Sequence, residues 1–127
     1  MTDSSRYSIR VEVEPAYLDQ ESAPQEDRYV FSYTVTIQNL GEMAAKLVRR
    51  HWIITDANGE RREVSGEGVV GEQPLLGPGD QFRYTSGAML NTPVGSMEGS
   101  YELIADDGTT FTAAIPAFTL AMPRTLH

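Results

Sequence analysis

The chain is 127 residues long, 40% apolar and 22% charged, with ten Lys and Arg against eighteen Asp and Glu for a formal net charge of −8. That composition describes one globular domain, taken here as residues 1–127, and excludes a disordered polymer. The acidic balance opposes binding to nucleic acid, and the absence of cysteine excludes disulfide frameworks, thiolate zinc sites and cysteine nucleophiles.

The opening MTDSSR has no apolar h-region, and no apolar run approaches the roughly 18 residues that a membrane helix needs. A soluble, cytoplasmic chain with a disordered stretch at 1–6 and no membrane contact is expected. In YSIRVEVE, Ile9, Val11 and Val13 recur with period two, which predicts a half-buried strand closed by Pro15. The next segment, PAYLDQESAPQED, combines prolines with carboxylates. It predicts a mobile loop in which Asp19, Glu21, Glu26 and Asp27 are solvated rather than gathered on a metal.

RYVFSYTVTIQN carries the clearest periodicity, with Tyr29, Phe31, Tyr33, Val35 and Ile37 on one face of a predicted strand. LVRRHWIITDANGERREVSGE predicts a hairpin, because Asn58-Gly59 is the preferred pair for a two-residue type I′ turn. Folding there sets Asp56 against Arg61, Ile53 against Val64 and Arg50 against Glu67, two charge pairs and one apolar pair in a single register. Gly66 then faces His51 and Gly68 faces Arg49. Trp52 falls to the core, and Arg49 and His51 to the opposite face, where a partner can reach them.

GSYELIADDGTTFTAAI predicts a second hairpin, with a three-residue loop Asp106-Asp107-Gly108 whose glycine is left-handed. That loop length pairs Leu103 with Phe111, Tyr101 with Ala113 and Gly99 with Ile115. In IPAFTLAMP, Pro116 points to an edge strand or a bend. No stretch of ten residues shows helical spacing with caps, and about seven short strands separated by turn signals predict an all-β sandwich.

SGEGVVGEQP contains the spacing GxGxxG, by which many enzymes cradle a pyrophosphate. The motif requires a buried strand before it and a helix after it. Here an alternating polar strand precedes Gly66, while Pro74, Gly77, Pro78 and Gly79 forbid a helix after Gly71. The glycines therefore read as a bulge, a bend or room for a large neighbour, with an anion-binding nest of amides as the lesser alternative. The histidines are His51, on a predicted strand, and His127. Neither belongs to a recognisable ligand set, DANG lacks the distal ligands of a calcium loop, and GSMEG is not a nucleophile elbow.

With RYVFSYTVTIQNLG, HWIITDANGE, GEGVVGEQPLLGPG, YTSGAML, TPVGSMEGSYEL and IPAFTLAMP, the chain from about Tyr7 onward resembles the ApaG family, also called CorD. The resemblance implies an immunoglobulin-like or fibronectin type III-like sandwich and a link to cobalt resistance and magnesium handling. It also implies protein–protein contacts, since similar domains occur in an F-box protein and a polymerase-interacting protein. The family offers no catalytic residues to carry over.

The resulting expectation is a non-enzymatic interaction module without cofactor or bound metal, monomeric or weakly dimeric. It would meet an unidentified protein partner through Arg49 and His51, or through the loops at 65–74 and TPVGSMEG. The alternative is a small-ligand binder holding a nucleotide or dinucleotide phosphate on the amides of Gly66, Gly68 and Gly71. A third possibility is weak binding of Co²⁺ or Mg²⁺ by the acidic loop.

Overall fold

The computed structural model describes residues 6–123. The expected disorder at the extreme N-terminus and His127 lie outside that range, apart from Arg6. The alternation at residue 29 becomes β2 (Tyr29–Asn39), whose odd residues are buried without a break while the even ones are half-exposed. Seven further strands surround it: β1 (Ile9–Tyr17), β3 (Ala45–Asp56), β4 (Arg61–Glu67), the two-residue β5 (Leu75–Leu76), β6 (Gln81–Leu90), β7 (Val94–Ala105) and β8 (Thr110–Ala121). The smaller sheet has the order β1-β2-β6, and the larger runs β4-β3-β7-β8 with β5 on β3. They face each other as a sandwich, as expected, with eight strands in place of about seven. No helix among the described residues is long and apolar enough to cross a membrane.

The core lies between the sheets. Trp52 stacks edge-on against Tyr33 at 5.1 Å and against Phe118 at 6.0 Å, and is only 2% exposed. Such aromatic pairs add to what burial alone provides. Deeper in, the hydroxyls of Tyr84 and Tyr101 hydrogen-bond each other. Asn39 and Thr92 are the buried polar residues among those described, and Asn39 is satisfied: its Nδ2 donates to Met43 O at 2.8 Å and Leu76 O at 2.9 Å, and its Oδ1 accepts the Gly41 N–H at 2.8 Å.

Three expectations are corrected. β1 does not end at Pro15 but continues to Tyr17, because it is an edge strand and a missing N–H costs nothing on the unpaired side. The acidic segment, expected to lack elements of its own, has local structure. It makes two short 3₁₀ turns, Asp19–Glu21 and Pro24–Glu26, and Ser22 Oγ ties it down by donating to Leu18 O and accepting from Val30 N–H.

The first hairpin is shifted by one residue. Its loop is Ala57-Asn58-Gly59, closed by Asp56 N–H to Glu60 O at 2.9 Å, with Gly59 at φ +83. Asp56 Oδ1 accepts the N–H groups of Asn58 and Glu60 at 2.8 and 2.9 Å, which stabilises the wider turn. The register therefore sets Trp52 against Val64, Arg50 against Gly66 and Arg49 against Glu67. In the second hairpin the expected pairs Leu103–Phe111, Tyr101–Ala113 and Gly99–Ile115 all form. The register shifts between Met97 and Gly99, opposite Pro116 on the edge strand β8.

Candidate interaction face and the glycine segment

Side chains alternate across β3, but a bulge between Leu47 and Arg49 resets the alternation. After it, Arg50, Trp52 and Ile54 point between the sheets, while Arg49 and His51 point outward. The slip in the hairpin register does not alter this division, since it moves only the partner strand. It does change the neighbours. Arg49 now stands in register between Glu67 of β4 and Glu102 of β7, and His51 between Ser65 and Ser100.

Arg49, His51, Ser65, Ser100 and Glu102, with Thr112 of β8, line a shallow depression of about 190 Å³ on the outer face of the larger sheet. His51 Nε2 lies 2.9 Å from Glu63 Oε1. Among the described residues the hydrogen bond of the His51 ring is to Glu63 and not to either neighbouring serine. Arg49 is exposed and forms no ion pair within 4 Å among the described residues. Nor do the described residues contain a group of three or more His, Asp or Glu able to hold a metal ion. Chemically, the face offers a guanidinium donor, an imidazole, two hydroxyls and carboxylate acceptors on one sheet.

The glycine segment is occupied by its own turn. Gly66 is a strand residue opposite Arg50, and the Arg50 guanidinium fills the space beside it: a Cβ at Gly66 would lie 2.8 Å from Arg50 Nη2. From there Arg50 Nη1 donates to Glu67 O at 3.0 Å and Gly68 O at 2.9 Å. Gly68 N–H donates to Val48 O, and Val69 and Glu72 exchange both backbone bonds around a tight turn in which Val70 and Gly71 have positive φ. At Gly68 itself φ is +64 and a Cβ would fall 2.2 Å from Glu72 O. The glycines thus answer a large neighbour, a left-handed backbone and a close approach. The inward Arg50 was the missed residue. Its inward direction follows from alternation with Trp52, and its place beside Gly66 from the one-residue slip of the hairpin register.

The chain matches the ApaG domain over residues 19–105. It is 58% identical to a Protein ApaG of Thiobacillus denitrificans and 55% identical to one of Dechloromonas aromatica, in each case over 127 residues and the whole of both chains. Among solved structures it is similar to a putative ApaA protein of Bordetella pertussis, with a TM-score of 0.92 and 49% identity, covering 95% of this chain and 98% of that one.

Proposed function

The chain belongs to the ApaG domain family, and from that membership and the outer face of its larger sheet we propose that it is a non-enzymatic protein-binding module. The observation that carries this reading is Arg49: an exposed arginine in mid-strand, in register with Glu67 and Glu102 yet without an ion pair within 4 Å among the described residues. Surface arginines that keep donors available are favoured anchors for protein partners. His51, which contacts Glu63, lines the same depression. On this reading any effect on cobalt or magnesium tolerance runs through the bound partner rather than through metal held by this chain.

The test is affinity capture from cells with the unaltered protein and with an Arg49→Glu, His51→Ala double variant, quantified by mass spectrometry. A partner retained by the first and lost from the second supports the proposal. If every captured protein stays in place, this face is not the site.

A further inference from the structure

The sandwich is lopsided. β6 ends the smaller sheet, whereas the larger sheet runs one strand further, to β4. Val64 on β4 is paired with Trp52 and shares its inward face, yet Val64 is 41% exposed and Trp52 only 2%. Apart from Gly66, which the Arg50 guanidinium overlies, every residue of β4 is exposed. Between β4 and the edge of β6 lies a cleft of about 290 Å³, floored by Trp52, Ile54, Val64 and Met97.

The edge of β6 is also unpaired. Odd residues of β2 turn their backbone groups toward β6, as Asn39 N–H to Asp80 O at 2.9 Å and Gly79 N–H to Asn39 O at 2.8 Å show. In an antiparallel ladder the even residues of β6 then take those bonds, and the N–H and C=O groups of Arg83, Thr85, Gly87 and Met89 point away from β2. Met89 O confirms the direction, because Arg62 reaches across the cleft from β4 to donate to it at 3.0 Å.

We infer that this groove accepts an extended acidic peptide of a partner protein, added to β6 as a fourth strand of the smaller sheet. Outward N–H and C=O groups on an edge strand recognise a backbone. Of the apolar lining, Val64 and Met89 are each 41% exposed, and they offer contact to an apolar side chain on the face of the added strand that turns toward the cleft. The charged side chains lining the cleft are Arg50 and Arg62, and in a chain of net charge −8 that local concentration of guanidinium selects a carboxylate. A second copy of the chain is a poor occupant, since it would bring the same net charge and its own two arginines to the edge. The groove lies on the opposite side of β3 from Arg49 and His51, so this inference and the proposed outer-face site can fail separately.

The probe is a blocked heptapeptide alternating threonine with valine, aspartate and valine. Trp52 is the single tryptophan and lines the cleft, so its fluorescence reports occupancy, and amide hydrogen exchange reports strand addition. The expected result is saturable binding with exchange slowed at least about tenfold at Thr85 and Gly87, and binding about tenfold weaker when asparagine replaces the aspartate. Gly87→Pro should abolish binding while leaving the fold intact. Its N–H makes no bond to β2, and a Cβ there meets nothing nearer than Phe31 O at 3.6 Å. Val64→Asp, at an exposed position, should weaken binding independently. Unchanged exchange at Thr85 and Gly87 in millimolar peptide would overturn the inference, as would binding that survives Gly87→Pro, or self-association of the free protein through β6 seen by sedimentation.

Discussion

Alanine at Gly66, Gly68 and Gly71 should cost three different amounts of stability, because each glycine answers a different physical demand. At Gly71 nothing lies within 4 Å of an added Cβ, and only φ +82 is unfavourable. The cost there is that of a left-handed alanine, about 1 kcal/mol. At Gly66 the added methyl displaces the end of a flexible side chain, and Arg50 loses its bonds to Glu67 O and Gly68 O. Two partly exposed hydrogen bonds come to about 1–2 kcal/mol. At Gly68 the left-handed cost is joined by a collision 2.2 Å from a backbone oxygen, which can be relieved only by opening the Val69–Glu72 turn. That should reach at least about 3 kcal/mol. Urea unfolding followed by Trp52 fluorescence, with m unchanged, measures all three. If Gly68→Ala costs no more than Gly71→Ala, the account of this segment is wrong.

Two other perturbations probe the interior. Asn39→Ala strands two carbonyls and the Gly41 N–H at a site that is 1% exposed, and should cost about 3–5 kcal/mol, visible as a large drop in Tm. Burial pushes the Tyr84 hydroxyl up to about 12 and that of its partner Tyr101 higher still. The unfolded value is about 10, so the neutral form is favoured in the folded state; this stability is whole below about pH 10 and is lost as pH rises toward the folded value. Stability measured across that window should fall steeply for the unaltered protein and less for the Tyr84→Phe, Tyr101→Phe variant.

How far the sequence could be read depended on the range of the interaction. The alternation of residues 29–37 and the Asp-Asp-Gly loop are local signals, and both strand and register followed from them. The Asn58-Gly59 turn is equally local but misled by one residue, because Asp56 Oδ1 caps a three-residue loop and outweighs the two-residue preference. The local structure of the acidic segment depends on Ser22 reaching Val30 N–H, a contact invisible to composition. Arg49 and His51 were legible as an outward face because Trp52 had to face inward. The same alternation turns Arg50 inward, but its meeting with Gly66 was not legible, since the two-residue turn set Gly66 against His51 and only the wider loop brings it opposite Arg50. The cleft beside β6 was hidden for a similar reason: it exists through unequal sheet widths, a property of topology.

The most direct test of the proposed role is site-specific photocrosslinking in living cells. A photoreactive amino acid placed at residue 49 is compared with the same group at residue 14, which is exposed on β1 of the other sheet. A discrete protein adduct formed from position 49 and absent from position 14 is the expected result. No adduct at 49, or the same adducts from both positions, would contradict a binding role for that face.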